Sequence, residues 1–360
     1  MSAGMDHSAR RERLIARLPD LGIEALLVTR LPNVRYLSGF TGSNAQVLLT
    51  ADSAVLLTDG RYGEQAGKEA PAFDLHVYTG AMIPALGEAL GRLEVGLLGF
   101  EAAGVTYQTF RRLQGIEGLR LEPTEGEVEG LRWVKDRDEI RLIEAAQALA
   151  DEAFTGILAK LVESRTEQEV ALDLEQSMRA LGADAVAFDS IVAFGENAAE
   201  PHHRPGPRPL RPGDLVKLDF GCVVQGYASD MTRTVAFGQP DPELREIHDL
   251  VRRAQQAGID ALRAGATGAQ VDGAARAVIA DAGHGERFGH SLGHGIGLEV
   301  HEGPTLRKES EDRLPEGTVV TVEPGVYLPG RGGVRIEDMV EVTEGGSRPL
   351  PGSSRDLIVV

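Results

Sequence analysis

The chain is 360 residues long, 42% hydrophobic and 26% charged, with a net charge of −18. That length gives room for two globular domains with cores of their own, and the acidic balance argues against nucleic acid and anionic membrane surfaces as partners. Its single cysteine, Cys222, rules out an intrachain disulfide, and no apolar stretch approaches the roughly 18 residues of a membrane span.

The polar start, MSAGMDHSARRERLIARL, has no apolar core of signal-peptide length, so a cytoplasmic protein is expected. Periodicity predicts a helix over 8–18, with Leu14, Ile15 and Leu18 on one side. A short apolar run predicts a strand over 24–29. Residues 29–46, punctuated by Pro32-Asn33 and Gly42-Ser43-Asn44, read as a long loop carrying Arg30, Arg35 and Asn44. Two strands joined at Ala51-Asp52 are expected over 46–49 and 54–58. Helix and strand patterns then alternate over 63–70, 74–78, 82–93, 95–100 and 107–113, which argues an α/β domain. The run Gly96-Leu97-Leu98-Gly99 has the wrong spacing for a phosphate loop, and no metal or nucleophile constellation occurs before residue 125. This half is expected to cap or position something.

The acidic stretch 123–130, PTEGEVEG, reads as a linker and divides the chain into 1–124 and 125–360. Beyond it, Asp136 with Glu139 forms a capping-box signal for a helix running toward Leu161, and Thr166 with Glu169 repeats the signal for a helix over 170–181. Further helices are expected over 242–264 and 267–282. Helices in pairs around β-hairpins predict an α+β fold with an antiparallel sheet in this half.

Residues 217–234, KLDFGCVVQGYASDMTRT, predict the hairpin at its centre. With the turn centred between Val224 and Gln225, Asp219 and Asp230 would face each other with Cβ atoms about 5 Å apart. Two opposed carboxylates in an apolar hairpin need a proton or a cation between them. Taken singly, the other polar residues nearby have bland readings, as loop histidines or solvated strand ends. Taken together, Asp219, Asp230, His294, Glu323 and Glu337 form an oxygen-rich donor set suited to Mn²⁺, Co²⁺ or Fe²⁺, with Zn²⁺ also compatible. Four carboxylates gathered in one place call for about two divalent ions, an arrangement that activates water for hydrolysis.

The segments KLDFG, SDMTRT, HSLGHGIGLEVHE, VEPG and GGVRIED, with LRWVKDRDEI before them, resemble the motifs of the pita-bread metallopeptidases, and within them the Xaa-Pro branch of prolidase and aminopeptidase P. The resemblance implies a pita-bread catalytic domain behind a creatinase-like α/β N-terminal domain. It implies two divalent metal ions, with manganese expected: Asp219 on one, Asp230 and Glu337 bridging, His294 and Glu323 on the other. Glu323 would also shuttle a proton. His202 and His301 match the two substrate-facing histidines, His290 lines the pocket, Arg335 matches the arginine beside substrate and metal, and Tyr327 supports the pocket. His203 reads as a weaker duplicate of His202. Arg35 is a candidate reader of a substrate carboxylate. Short peptides with proline second are the implied substrates, and a homodimer the implied assembly. A prolidase is the first reading, an aminopeptidase P on longer peptides the second, and a non-catalytic peptide-binding scaffold the third.

Overall fold

The computed structural model describes residues 5–360, which fall into two compact units divided between Arg132 and Trp133. In the first unit the chain runs α1 (His7–Ile15), β1 (Ala25–Val28), α2 (Leu31–Ser38), β2 (Ala45–Thr50), β3 (Ala54–Asp59) and α3 (Gly63–Glu69). It continues with β4 (Asp74–Tyr78), α4 (Met82–Arg92), β5 (Leu97–Glu101), α5 (Tyr107–Leu113), β6 (Arg120–Thr124) and α6 (Glu127–Arg132). One six-stranded mixed sheet results, in the order β4-β3-β2-β1-β5-β6. Every residue of β1 is buried, so its apolar run does not alternate.

Two expectations fail in this unit. The long loop over 29–46 contains α2, which starts with Pro32 in its first turn and stops at Gly39 in the left-handed region at φ 79°. Proline suits a helix start and glycine its left-handed end, so the two residues that read as loop punctuation are helix caps. The stretch 123–130 is no linker either. It completes β6 and enters α6, where Val128 is buried.

The second unit opens with α7 (Arg137–Leu158) and α8 (Glu167–Ala180), both with capping boxes at Asp136/Glu139 and Thr166/Glu169. Then come β7 (Ala185–Val186), β8 (Ile191–Phe194), β9 (Leu215–Phe220), β10 (Cys222–Val224), β11 (Tyr227–Ala228) and β12 (Met231–Ala236). After α9 (Pro242–Ala261) and α10 (Gly268–Asp281) follow β13 (Gly293–Gly295), β14 (Glu302–Leu306), β15 (Val319–Val322) and β16 (Gly325–Leu328). The last strands are β17 (Gly332–Arg335), β18 (Asp338–Thr343) and β19 (Gly346–Pro349). Gly332 and Gly333 lie in β17.

Each helix pair covers its own group of antiparallel strands. Ala146, Ala150 and Phe154 of α7 and Val170, Leu174 and Met178 of α8 pack with Val216, Leu218 and Phe220 of β9. Val251 and Ala254 of α9 and Val271 and Ala275 of α10 pack with Val320, Val322, Val340 and Val342. Each fully buried Val, Leu or Phe contributes about 1.5–3 kcal/mol. The two strand groups meet where Thr232 bridges Glu337.

The central hairpin forms, but in a different register. Gln225 (φ 46°) and Gly226 (φ 83°) make the turn, and positive φ at both is what a two-residue type I′ turn requires. Asp219 therefore faces Thr232. Asp230, two residues before Thr232, becomes the diagonal neighbour of Asp219, in reach across one face. Between the outer and inner halves of the hairpin the strands pinch at Gly221, where an added Cβ would lie 1.9 Å from the Ser229 carbonyl oxygen. Gly221→Ala must push the strands apart and is expected to destabilise the unit by about 1–3 kcal/mol. Urea unfolding checks this, and a wild-type midpoint would refute it.

Candidate metal centre

The edges of those strands deliver the polar residues to one cavity of about 830 Å³. Asp219 comes from β9, Asp230 from the residue before β12, and His294 from β13. Glu323 follows β15, and Glu337 sits between β17 and β18. All five line the cavity, as do His202, His290, His301 and Arg335. Tyr327 does not line it but donates to or accepts from His290 Nε2 at 2.9 Å and accepts from Arg335 Nη1 at 3.0 Å. Arg35 lies half-buried on α2 of the first unit and is not among the lining residues.

Asp219, Asp230 and Glu337 are all buried. Ligand atoms of Asp230, His294 and Glu337 lie within 4.8 Å of one another. His294 Nε2 is 3.7 Å from Asp230 Oδ2 and 3.5 Å from Glu323 Oε1. Those spacings are long for hydrogen bonds. They suit donors that share an ion at about 2.1 Å from each. The other ring nitrogen, Nδ1, faces the Gly295 carbonyl oxygen at 3.0 Å, so the neutral ring donates there and turns the Nε2 lone pair to the carboxylates. Burial, and then the neighbouring His301, pull the His294 pKa down to about 4, which keeps the ring neutral as a ligand must be.

The carboxylates are held at a cost in charge. Burial, then Asp219 and Glu323, raise the Asp230 pKa well above the usual range. Burial, then Asp230, Glu323 and Asp219, do the same for Glu337. Burial foremost pushes Glu323 up to about 8. Such a cluster ionises together only when cations enter it. The donor set of four carboxylates and one neutral imidazole fits divalent metal, and the rest of the site holds the donors still. Thr232 Oγ1 donates to Glu337 Oε2 at 2.6 Å, and Thr321 Oγ1 to Glu323 Oε1 at 3.3 Å. Arg335 pairs with Asp219 and donates from Nε to Thr232 Oγ1 at 3.1 Å.

Several of these supports have no signal in the local sequence. Thr232 becomes visible as one only once the true register sets it opposite Asp219. Lys135 forms a buried ion pair with Glu302 at 2.7 Å, beside His301. This gives part of LRWVKDRDEI a structural task. The rings of His301 and His294 touch in a tilted arrangement, with centroids 4.2 Å apart and planes at 46°. His290 is held at about 4 by burial, and then by Arg335, and is a neutral pocket residue.

Residues 141–344 match the model for Metallopeptidase family M24, and residues 10–134 match the Creatinase/Prolidase N-terminal domain. A protein named Xaa-Pro dipeptidase from Pyrococcus horikoshii is 35% identical over 96% of this chain and 98% of its own length. Among solved structures, an Xaa-Pro dipeptidase from Bacillus anthracis superposes with a TM-score of 0.96 at 40% identity, covering 99% of this chain and all of the other. An X-Pro aminopeptidase from Thermotoga maritima superposes with a TM-score of 0.90 at 39% identity, covering 98% of this chain and all of the other.

Proposed function

This chain belongs to metallopeptidase family M24, with a creatinase/prolidase N-terminal domain ahead of the catalytic one, and we propose that it hydrolyses the Xaa-Pro peptide bond and releases the N-terminal residue. The observation that carries this reading is the convergence of Asp219, Asp230, Glu323 and Glu337 with the Nε2 face of neutral His294 on one cavity. These five residues would hold two divalent ions, Mn²⁺ in our assignment, with Co²⁺ and Zn²⁺ compatible with the same donors. Bound there, the ions supply Lewis acidity to the scissile carbonyl and acidify a water.

The chain's own residues do the rest. The Xaa-Pro bond is a tertiary amide without an N–H, so the departing proline nitrogen must be given a proton. Glu323, on the cavity wall beside the other donors, is placed to take a proton and pass it on. His202 and His301 open onto the cavity and are placed to contact the substrate. Arg335, fixed by Asp219, Tyr327 and the Pro201 carbonyl oxygen, keeps a positive charge beside the carboxylates.

A prolidase acting on dipeptides is our first reading, supported by the relatives of that name. An aminopeptidase P on longer peptides is the second, supported by the likeness to the Thermotoga maritima structure. We assign a homodimer on the resemblance of the sequence to this family, and a cytoplasmic location on a composition whose single cysteine does not point to an oxidising compartment.

After chelator stripping and addition of Mn²⁺, Met-Pro is expected to be hydrolysed and Met-Pro-Ala to be cut at a small fraction of its rate. Equal or faster cleavage of the tripeptide makes the enzyme an aminopeptidase P. Cleavage of neither, in any metal, overturns the function. If Arg35 reads the substrate carboxylate, Arg35→Ala lowers the dipeptide rate selectively; unchanged rates on both peptides remove it from the site.

A further inference from the structure

His203 is not a second copy of His202. Its ring is wedged between two carboxylates, with Nδ1 2.7 Å from Glu200 Oε2 and Nε2 2.9 Å from Glu167 Oε2. Ionised carboxylates only accept, so a ring flanked in this way must donate from both nitrogens and carry a positive charge. Burial works against that charge, but Glu200 and Glu167 overcome it and hold the pKa above the ordinary histidine value.

Glu167 is more than a counter-ion. It is completely buried at the start of α8. Its Oε1 accepts from the Phe194 N–H and from Asn197 Nδ2, both at 2.9 Å, and its Oε2 accepts from the Gly206 N–H at 2.9 Å. One carboxylate thus ties both ends of segment 194–206 to α8. Inside the segment, Lys217 Nζ, from β9, donates to the carbonyl oxygens of Ala198, Glu200 and Pro201 at 3.3, 2.5 and 3.4 Å. Pro201 O also accepts from Arg335 Nη1 at 3.1 Å. His202 stands between two pins. Lys217 and Arg335 fix the backbone before it, and His203 fixes the backbone after it.

We propose that His203 is a positioning residue: clasped between Glu200 and the buried Glu167, it fixes the loop that presents His202 to the substrate. A displacement of about 1 Å in such a group costs on the order of 10²-fold in rate, which is the effect the clasp prevents. A bland structural ion pair would stabilise the unit without acting through His202, and the two differ in a double-mutant cycle.

The kinetic arm rests on the function proposed above. In the Mn²⁺-loaded enzyme, His203→Gln is expected to lower kcat on Met-Pro by about 10- to 100-fold, with metal content and KM unchanged. In a His202→Ala background the same substitution should cost nothing further. Equal losses in both backgrounds overturn the proposal. Should His203→Gln fail to fold, Glu200→Gln removes only the exposed half of the clasp and is expected to give a smaller, equally non-additive loss.

A second arm needs no substrate. In Zn²⁺-loaded protein labelled with ¹⁵N-histidine, both ring nitrogens of His203 should be protonated at pH 6.5. Glu167→Gln should shift the ring resonances of His202. A neutral His203 together with unmoved His202 resonances overturns the proposal, whichever peptide the enzyme cleaves.

Discussion

Glu337→Ala is expected to abolish binding of a metal pair and to lower kcat/KM on an Xaa-Pro substrate by about 10³-fold or more, a loss of roughly 4 kcal/mol of transition-state stabilisation. Glu337 is buried between β17 and β18, and its N–H donates to the Thr232 carbonyl oxygen at 3.1 Å. Its Oε2 accepts a hydrogen bond from the Thr232 hydroxyl at 2.6 Å, and its ligand atoms lie in the same cluster as those of Asp230 and His294. No neighbouring side chain can replace it, because Asp230 and Glu323 already converge on His294 from other strands. The backbone around it is held by the Thr232 bridge and by the buried Arg233–Asp338 ion pair at 2.7 Å, so the fold should survive the truncation. Metal content after dialysis, measured beside kcat/KM, checks the prediction. Wild-type metal content with full activity would remove Glu337 from the centre.

Much of the architecture is legible in the sequence because local chemistry agrees with the global fold. The capping boxes at Asp136/Glu139 and Thr166/Glu169 announce α7 and α8 and are realised as such. The type of each donor at the site is legible too, since four carboxylates and a glycine-flanked histidine are an unusual inventory. What is lost is whatever depends on a one-residue choice or on distance along the chain. The hairpin register hinges on whether the turn is centred one residue earlier or later, and propensity does not decide between them. Positive φ at Gln225 and Gly226 does. Likewise α2 is hidden because Pro32 and Gly39 serve equally as loop and cap residues. The task of His203 is invisible because its two partners lie three and 36 residues away, and only the fold brings Glu167 to it. The same holds for Arg335 and Asp219, 116 residues apart.

Stripped of metal, the protein is expected to lose stability as pH rises from about 6.5 to 8 and to regain it when Mn²⁺ is added. In an unfolded chain these carboxyls titrate at ordinary values, 3.8 for Asp and 4.5 for Glu. In the folded, metal-free site Glu323 is raised to about 8, and Asp230 and Glu337 are raised well above their ordinary values, in each case by burial first. Between the two sets of values the folded form keeps protons that the unfolded form releases, so unfolding gains as pH rises. Their contribution is therefore fullest below about 4.5 and drains away as pH rises through about 8. Buried His248, His290 and His294, held at about 4, act in the opposite sense below the ordinary histidine value of 6.5, so the net fall shows above it. Every tenfold difference in proton affinity between the folded and unfolded forms is worth about 1.4 kcal/mol. Glu323 keeps 16% of its side chain open to the cavity, so water softens its share, and a total fall of a few kcal/mol is expected. Divalent ions reverse the slope, because they take the place of the protons and bind more tightly as the carboxyls ionise. Urea midpoints at pH 6.5, 7, 7.5 and 8, with EDTA and with Mn²⁺, separate the two regimes. A stripped protein whose midpoint stays flat or rises over that range would mean that the carboxylates do not face one another in a dry site. Glu337→Gln sharpens the test. By removing one buried acid it should flatten the slope and stabilise the stripped protein at pH 8, while the same change disables the metal-loaded enzyme. Opposite signs from one substitution are what a site built for cations, and strained without them, requires.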